Sequence, residues 1–434
     1  MSDLSLPNSL WAATAIAPPR TTTLQENLDV DVAIVGAGFN GLRAALVLAE
    51  AGKKVAVVDA GETGWGASGR NGGQVNPMGH ESPAVIKARW ANLHGEDQVR
   101  RYTDFTSASA DALFDLVRQY DIQCDAEQNG WIRAVHGKAA VEPFETLYKG
   151  WQEAGADLRL IGRDELAELS GTHGYLCGWV AAKGGSIQPM SFARGLAIAA
   201  QSAGARLYSQ SRVESLESVA SRWRLKTRQG QITADQVLLC TNGYTDELFP
   251  GIKETVVPVI SIQTATQPLT NEQCEQILPQ RHTLSDTRRV IFYFKKTADN
   301  RLVFGSAGTG DEAPGADDRR RIETGLKTVY PQFPELKVEY IWGGRIAVTQ
   351  DHLPHLHNPA PGIFAALGCN GRGVALSTAT GKLLADLALG ESHENLPIPM
   401  TAIKSYPFHR FHRVGIKLAV AWKQFKDNRE ARES

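Results

Sequence analysis

The chain has 434 residues, 42% hydrophobic and 21% charged, a composition typical of a globular protein with two or three domain-sized units. Its net charge of −1 provides no general basic surface, so we expect no nucleic-acid partner. The five cysteines are odd in number and form no C-x-x-C pair, which predicts reduced thiols in a cytoplasmic protein and no metal site.

Residues 1–28 carry no strong structural pattern. They lack the positively charged start of a secretory signal, and their short apolar stretch ends at Pro18 and Pro19. No apolar run in the chain approaches the roughly 18 residues of a membrane span. The sequence therefore predicts an extended, weakly ordered arm at the N-terminus.

Residues 30–59 follow a strand–turn–helix–strand pattern. A β-branched run at 30–35 is typical of a buried parallel strand, and apolar residues at helical spacing follow over 42–49. Between them lies a G-x-G-x-x-G turn at 36–41, and a second strand ends in Asp59. This order of elements is typical of a dinucleotide-binding unit.

Each residue type in this turn has a physical reason. Gly36 permits the tight turn, Gly38 lets the backbone approach a pyrophosphate, and Gly41 lets helix and strand pack closely. The free N–H groups at the start of the helix attract the phosphates. Asp59, eighteen residues after Gly41, can accept hydrogen bonds from ribose hydroxyls.

Residues 64–74, GWGASGRNGGQ, contain five glycines and a single formal charge, on Arg70. A loop so poor in side chains suits the close approach of a large flat group. It directly follows the second strand, which favours FAD over NAD, with the loop along the ribityl chain and the flavin ring. A flexible surface loop is the alternative, although it would not require the polar groups of Arg70, Asn71 and Gln74.

The middle of the chain predicts helices followed by a β-rich region. Residues 85–125 and 189–203 have helical patterns, and a buried strand over 237–240 leads to Thr241 and Asn242, a second approach to the cofactor. Residues 253–345 are mainly β, with a hairpin tip at 299–300. These antiparallel strands predict a separate substrate module that covers the flavin.

Residues 363–388 repeat the order of the first motif. A short strand leads to Gly371, Arg372 and Gly373, and a helix with a regular apolar face follows. The N–H groups at the start of this helix can stabilise the negative charge of a reduced flavin. An ordinary tight turn into a core helix is the alternative.

The chain resembles the D-amino acid oxidase and sarcosine oxidase superfamily of FAD-dependent amine oxidoreductases, and within it the gamma-glutamylputrescine oxidoreductase subfamily. The segments that carry this resemblance are AIVGAGFNGLRAALVLAEAG, GWGASGRNGGQ, CTNGYT, KKTADNRLVF, WGGRIAVTQDHLP and GCNGRGVALSTATGKLLADL. They span the chain from about residue 28 to near its end.

The resemblance implies an α/β fold of mixed character, with a discontinuous Rossmann-like FAD-binding domain and a second substrate domain built on an antiparallel sheet. The expected FAD domain comprises residues 29–80, 160–250 and 340–395, and the substrate domain comprises residues 81–159 and 251–339. An arm at 1–28 precedes them, and a basic amphipathic segment at 396–434 follows. The residues expected to hold FAD are Gly36, Gly38, Asn40, Gly41, Asp59, Ala67, Ser68, Arg70, Asn71, Gly72, Gly73, Val213, Thr241, Asn242, Gly371, Arg372 and Gly373.

Several positions depart from the pattern of the superfamily. Sarcosine oxidases attach flavin through a cysteine where this chain has residues 343–345, Gly-Gly-Arg, so we expect non-covalent FAD. Their oxygen-activating lysine corresponds to Val303, while Lys295 and Lys296 lie elsewhere in sequence. The electron acceptor is therefore left open between O2 and another acceptor.

Two side chains are candidates for catalysis. Arg345 is the first candidate for a substrate-side or flavin-edge group, with a structural salt bridge as the alternative. His80, six residues after Gln74, is the second, with a solvated loop histidine as the alternative. The histidines of HLPHLH, at 352–357, suggest metal ligands, but the proline favours a surface turn.

These observations predict an FAD-dependent oxidoreductase that oxidises the C–N bond of a small, gamma-glutamylputrescine-like amine. Hydride transfer to flavin N5 gives an imine, which water hydrolyses to an aldehyde or keto product. A D-amino acid or glycine-type enzyme is one alternative. A non-catalytic flavin-binding module or a flavin-dependent RNA-modifying enzyme is the other, and the near-neutral charge disfavours RNA. The basic C-terminal helix allows peripheral contact with a membrane, or packing on the protein itself.

Overall fold

The computed structural model describes residues 4–308 and 310–433, which form eleven α-helices and two large sheets. The helices are α1 Leu10–Thr14, α2 Phe39–Glu50, α3 Pro83–His94, α4 Glu96–Gln119, α5 Val141–Glu153, α6 Arg163–Ser170, α7 Pro189–Ser202, α8 Asn271–Gln276, α9 Ala316–Val329, α10 Gly373–Ala388 and α11 His412–Glu433. The strands are β1 Asn27–Val35, β2 Val55–Val58, β3 Gln74–Val75, β4 Trp131–Ala134, β5 Leu158–Ile161, β6 Gly178–Ala181, β7 Gly185–Ser186, β8 Arg206–Tyr208, β9 Ser215–Val219, β10 Arg222–Lys226, β11 Gln231–Leu239, β12 Val257–Thr266, β13 Thr283–Asp286, β14 Tyr293–Lys296, β15 Leu302–Ala307, β16 Val338–Val348, β17 His355–Ala360 and β18 Ile363–Leu367.

The first sheet contains the dinucleotide-type motif. Its strand order is β17-β18-β11-β1-β2-β8, with β9 and β10 added as an antiparallel hairpin on β11. Alternate residues of β1 face opposite sides: Val32 and Ile34 pack in the core with α2 and α10, while Ala33 and Val35 pack in a second core. Both faces of β1 are therefore buried in a core, which explains why its sequence is a continuous apolar run.

The second sheet has the order β16-β12-β15-β14-β13-β4-β6-β5 and is antiparallel except between β4 and β13. Asn300 takes a left-handed conformation at the predicted hairpin tip between β14 and β15. Helix α9 packs on this sheet through Ile322 and Leu326. These findings confirm the predicted mixed fold with a second, mainly antiparallel sheet.

Strands β5 and β6 pair within the second sheet, although most of their residues lie in a segment expected to form the FAD domain. Strand β16 joins the same sheet from a third segment of the chain. The division of the chain into domains stays a prediction. The polypeptide crosses several times between the first sheet and the second sheet.

The prediction of an extended, weakly ordered arm is wrong for residues 10–14. Residues 10–14 form α1, and the side chains of Leu10 and Trp11 are each 1% exposed. Trp11 packs edge-on against Trp342 at a centroid distance of 5.8 Å. Five residues are too few to show a helical pattern in the sequence, and burial of one large indole orders the segment. Residues 1–3 lie outside the described part of the chain.

The predicted helical region over 85–125 consists of α3 and α4, which are separated by Gly95 with a φ of +81°. At the other end of the chain, α11 carries a row of exposed apolar side chains. Within the described residues, no helix combines the length and apolar character that crossing a membrane requires. The exposed side chains on and just before α11 are Phe411, Val414, Leu418, Trp422 and Phe425.

Candidate active site

The first glycine turn is shaped by contacts that exclude larger residues. Gly36 has a φ of +110°, and a Cβ built on it would lie 2.8 Å from the carbonyl oxygen of Cys240. Gly38 immediately precedes α2, and a Cβ built on it would lie 2.8 Å from Oγ of Ser68. Gly41 faces inward, and its Cβ would lie 2.1 Å from the carbonyl oxygen of Gly36. The turn and the start of α2 line the cavity, and the N–H of Phe39 donates a hydrogen bond of 3.0 Å to Oγ of Ser68.

Asp59 lies at the end of the second strand and braces the same turn. Its Oδ2 accepts a hydrogen bond of 2.7 Å from the backbone N–H of Ala37, and Oδ1 accepts one of 2.8 Å from Gly61. Burial raises the pKa of this carboxyl, while the two N–H groups act in the opposite direction. Each oxygen retains a further lone pair for a ribose hydroxyl.

The side chains of the glycine-rich loop hold its shape. Asn71 donates through Nδ2 to the carbonyl oxygens of Ala67 and Ser68, and its Oδ1 accepts from the N–H of Gly73. Arg70 is 7% exposed, donates through Nε to the carbonyl of Trp65, and stacks over the Trp65 ring at 4.6 Å. Both polar residues therefore fix the loop, a role that the sequence did not separate from ligand contact.

The glycine-containing turn before α10 lies near the turn at 36–41 and the glycine-rich loop at 64–74, at the carboxyl ends of the parallel strands. Oδ1 of Asn370 accepts a hydrogen bond from the N–H of Thr349, and Oδ1 of Asn242 accepts from the N–H of Gly368. These bonds fix the segment before α10, whose first turn begins beside Arg372. The starts of α2 and α10 thus converge, in agreement with the sequence prediction.

One cavity of about 1170 Å³ joins these turns to the second sheet. It is larger than a typical ligand pocket of roughly 300–1,000 Å³. Gly41 and Gly73 do not line it, because Gly41 packs within the turn and Gly73 faces the carbonyl oxygen of Ile187. The expected FAD-binding residues that do line it are Gly36, Gly38, Asn40, Asp59, Ala67, Ser68, Arg70, Asn71, Gly72, Val213, Thr241, Asn242, Gly371, Arg372 and Gly373.

The donor set and the glycine-lined wall fit an elongated dinucleotide. The start of α2 would offer backbone N–H groups to a phosphate, Asp59 would offer carboxylate oxygens to a ribose, and the glycine loop with the start of α10 would offer room for a flat ring. A Cβ on Gly72 would lie 3.1 Å from the ring of Tyr293, so the loop also leaves little space beyond its backbone. This combination of fold and cavity defines a class of nucleotide-cofactor oxidoreductases.

The chain belongs to the FAD dependent oxidoreductase family, DAO, which matches residues 31–387. It is 32% identical to the probable oxidoreductase OrdL of Rhizobium meliloti strain 1021, over 98% of this chain and 99% of that protein. It is 28% identical to the gamma-glutamylputrescine oxidoreductase of Escherichia coli K12, over 94% of this chain and 99% of that protein. The resemblance stated from the sequence is confirmed, and FAD is the cofactor.

The crystal structure of glycine oxidase from Geobacillus kaustophilus superposes with a TM-score of 0.73 at 22% identity, covering 87% of this chain and 97% of that one. This likeness supports the fold. The protein is thus an FAD-dependent oxidoreductase, and the positions of its remaining polar side chains bear on its substrate.

Arg345 lines the cavity but is already paired. Its Nε lies 2.5 Å from Oε1 of Glu312, and its guanidinium stacks over the ring of Tyr244 at 5.0 Å. Oε2 of Glu312 also accepts a hydrogen bond of 2.8 Å from the Tyr244 hydroxyl and lies 3.5 Å from Arg70. The structural salt bridge weighed as the alternative is therefore present.

His80 also lines the cavity, with half of its side chain exposed. Its ring stacks on that of His352 at 5.5 Å, and Nδ1 lies 3.8 Å from Glu81. These three residues, and separately His136, Asp427 and Glu430, bring potential metal-ligand atoms within 4.8 Å of one another. The absence of a metal stays a prediction.

The surface turn predicted for HLPHLH is wrong for its second half. His355 and His357 belong to β17, and His357 is 1% exposed, with Nδ1 2.7 Å from the carbonyl oxygen of Thr401. Pairing of β17 with β18 extends the first sheet and overrides the local preference of proline for a turn. His355 pairs with Asp351 at 3.1 Å.

Lys295 was discounted in the sequence, yet it lies directly across from Val303 in the β14–β15 pair. Its Nζ donates a hydrogen bond of 2.6 Å to the carbonyl oxygen of Ile187 and lies 2.9 Å from the position of a Cβ on Gly73. Burial lowers the pKa of this lysine to about 8. The sequence signal that could have identified Lys295 is its place in the hairpin, because a residue directly opposite Val303 points to the same side of the sheet as Val303.

The wall formed by the second sheet carries polar residues that the sequence analysis did not identify. Tyr293 bonds to Ser261 and Gln263, and Arg133 lies beside Ser285 in the β4–β13 pair. All of them line the cavity. We call these side chains, together with Arg372 at the start of α10, the polar chamber; its members are Arg133, Ser261, Gln263, Ser285, Tyr293 and Arg372.

Proposed function

We propose that the protein oxidises the C–N bond of a small amine of the gamma-glutamylputrescine type, with FAD bound non-covalently. The observation that carries the proposal is the single cavity in which the starts of α2 and α10 meet the polar chamber. Its relation to the gamma-glutamylputrescine oxidoreductase of Escherichia coli supports this choice of substrate.

Bound FAD would supply the acceptor for a hydride from the carbon next to the substrate nitrogen, and loss of a proton from that nitrogen would then give an imine. Water then converts the imine to a carbonyl compound and an amine. The substrate nitrogen must be neutral, and with a pKa of about 10 its deprotonation at pH 7 costs roughly 4 kcal/mol. Enclosure between the glycine loop and the second sheet contributes by disfavouring the ammonium form.

A glycine-type oxidase is the second candidate, supported by a 26% identical glycine oxidase from Geobacillus kaustophilus. An Arg345 side chain free to bind the amino acid carboxylate would favour it. Arg345, the expected residue, is instead paired with Glu312 and stacked on Tyr244. The larger amine is therefore the first proposal.

The test is to mix the flavin-loaded protein anaerobically with gamma-glutamylputrescine, putrescine, glycine and a panel of D-amino acids. We expect gamma-glutamylputrescine to bleach the flavin fastest, and admission of air then tests O2 as acceptor. Preferential bleaching by glycine or D-amino acids would replace the first candidate with the second. Failure of every compound to bleach the flavin would contradict both. Acid precipitation should release the flavin, because non-covalent binding leaves no bond to protein.

We also propose that α11 and the segment before it contact an anionic membrane surface, as one feature of a cytoplasmic enzyme. Residues 396–426 contain six Lys or Arg residues and no Asp or Glu. Trp422 and Leu418 are 58% and 68% exposed and lie on α11, which begins at His412 within this segment and continues beyond it through Asp427 and Glu430. Basic charge together with exposed apolar side chains suits anionic headgroups.

Sedimentation with vesicles tests this contact. We expect the protein to bind vesicles of phosphatidylglycerol and phosphatidylcholine, but not pure phosphatidylcholine, and the double variant Leu418→Glu, Trp422→Glu to lose binding. An exposed control, Leu160→Glu on β5, should retain it. If the wild type does not sediment, or if α11 instead mediates self-association in solution, the membrane proposal is wrong.

A further inference from the structure

The loop between β13 and β14, residues 287–292, lies between the cavity and α11. Arg288, Arg289 and Ile291 of this loop line the cavity. On the other side of the loop lies Asp427, near the end of α11, which is only 8% exposed. Burial of a carboxylate is costly unless it has hydrogen-bond partners, so the contact between α11 and the loop requires an explanation.

Asp427 binds the backbone of the loop directly. Its Oδ2 accepts a hydrogen bond of 2.9 Å from the N–H of Val290. Its Oδ1 accepts one of 3.2 Å from the N–H of Arg289 and one of 3.1 Å from Nη1 of the same residue. Hydrogen bonds to an ionised acceptor are roughly twice as strong as neutral ones. The carboxylate therefore fixes the main chain of the loop as well as a side chain.

Glu430, almost one turn later on α11, holds the side chain of the same loop residue. Its two oxygens accept hydrogen bonds of 2.8 Å each from Nη1 and Nη2 of Arg289. These bonds lower the pKa of Glu430, so its carboxylate stays ionised at neutral pH. A partly exposed ion pair contributes little by itself. We therefore assign the main hold on the loop to Asp427, and the orientation of Arg289 to Glu430.

The ends of the loop are fixed without α11. Oδ1 of Asp286 accepts hydrogen bonds from the N–H groups of Arg288 and Phe292, which closes the loop at its two ends. The N–H groups of Arg289 and Val290, in the centre of the loop, find their acceptor on α11 instead. The position of the centre of the loop therefore depends on the helix.

This hold uses a different face of α11 from the exposed apolar side chains. At about 100° per residue, Leu418 lies roughly opposite Asp427 around the helix, and it is 68% exposed. The contact with the loop and the proposed contact with a membrane are therefore separable by substitution.

We propose that Asp427 and Glu430 are positioning residues, which hold the loop at 287–292 against the cavity and so keep this wall closed on a bound substrate. The inference rests on the proposed function and adds a support for the same site that lies outside the cavity. If the loop is held only part of the time, the apparent affinity for substrate falls in proportion to the held fraction. The chemical step in the filled cavity is unchanged, so loss of the hold acts on KM more than on kcat.

Two measurements on the flavin-loaded protein need no substrate. Hydrogen–deuterium exchange in the peptide that contains residues 287–292 reports the loop amides, and quenching of flavin fluorescence by acrylamide reports closure of the cavity. We expect Asp427→Ala to speed exchange of these amides about tenfold and to increase quenching. Glu430→Ala should act in the same direction to a smaller extent. Asp427→Glu, which keeps the charge, should recover part of the protection.

The third measurement is steady-state oxidation of gamma-glutamylputrescine. Asp427→Ala should raise KM about tenfold and change kcat less than about twofold, and Glu430→Ala should raise KM less. Asp115→Ala, which removes an exposed acid of α4, is the matched control and should keep wild-type values in all three measurements. The double variant Leu418→Glu, Trp422→Glu should also keep them in the absence of vesicles.

Melting temperatures identify a variant that fails to fold, and Glu430→Ala, at a less buried site, keeps the test decisive if Asp427→Ala is such a variant. Unchanged loop exchange in both variants would overturn the proposal. Faster exchange with unchanged quenching and unchanged KM would also overturn it, because the two acids would then serve stability alone. A lower kcat with unchanged KM would contradict a positioning role.

Failure of the proposed function has a different result. If no amine bleaches the flavin but loop exchange and quenching increase as expected, the hold on the cavity wall stands and the proposed function fails. If gamma-glutamylputrescine is oxidised with a wild-type KM by every variant, the proposed function stands and the positioning role fails.

Discussion

The indole Nε1 of Trp11 donates a hydrogen bond of 2.7 Å to the carbonyl oxygen of Asn71, sixty residues later in the chain. Gln188 holds the other side of the same helix by donating to the carbonyl of Trp11 at 3.0 Å. Trp342 packs on the indole and donates to the carbonyl of Arg70 at 2.9 Å. Two tryptophans from distant parts of the sequence thus fix consecutive carbonyls of the glycine-rich loop.

Replacing Trp11 by Phe should loosen this loop. The change leaves the carbonyl of Asn71 without its donor, which costs roughly 1–3 kcal/mol for a buried group. We expect a lower melting temperature and faster loss of FAD on dilution, measured by flavin fluorescence. Trp223→Phe is the control, since Trp223 donates an equivalent bond to Pro361 at an exposed site. Equal FAD retention in both variants would show that the contact does not support the loop.

Gly36→Ala should abolish FAD retention. The residue has a φ of +110°, and its new Cβ would lie 2.8 Å from a backbone oxygen that cannot move aside easily. We expect purification of a colourless protein, with the flavin-to-protein absorbance ratio as the measurement. Gly162→Ala, where no atom lies within 4 Å of the new Cβ, should remain yellow. A yellow Gly36→Ala protein would contradict the assignment of this turn to the cofactor.

Asp59→Asn should weaken FAD binding about tenfold, because an amide cannot accept from both Ala37 and Gly61 and the lost acceptor costs roughly 1–3 kcal/mol. Equilibrium titration of the apoprotein with FAD measures the effect. Asp31→Asn is matched to it, since Asp31 accepts a backbone bond from Lys54 away from the cavity. Unchanged FAD affinity in Asp59→Asn would exclude a role for this carboxylate.

Lys295 should make stability rise with pH in the alkaline range. Its pKa is about 8 in the folded protein against an ordinary 10.5, so the unfolded chain binds more protons between these values. Over that window the free energy of unfolding should increase by roughly 3 kcal/mol from this group alone. Lys295→Met should remove the increase, measured as the difference in melting temperature between pH 8 and pH 10. Lys53→Met, at an exposed site, should keep it, and identical profiles for all three proteins would refute the prediction.

The spacing of residue types along the sequence predicts much of the fold and the end of the cavity that is formed by the turn at 36–41 and Asp59. The turn at 36–41 and the acid at Asp59 are separated by one helix, so their proximity is readable from the sequence. The glycine loop at 64–74 was assigned to the cavity because few side chains remain to fill its space. Its contact with FAD stays a prediction, as do the individual roles of its residues.

The sequence does not predict the end of the cavity that lies against the second sheet. Arg133 and Arg372 are brought together by the packing of β4 against the start of α10, and no pattern in either segment signals the other. The pairing of Arg345 with Glu312 depends likewise on a loop 33 residues earlier. Trp11 was missed because one buried indole orders a segment too short to show periodicity.

The cavity draws its wall from residues as early as Leu4 and as late as Ser377. During synthesis the N-terminal part of a chain emerges first. A nascent chain therefore contains the glycine turn at 36–41 long before it contains the start of α10 at Gly373, which forms another part of the cavity wall. We therefore expect a ribosome-bound fragment stalled before α10 to lack one wall of the compartment and to retain the vitamin-derived ring less well than the released chain.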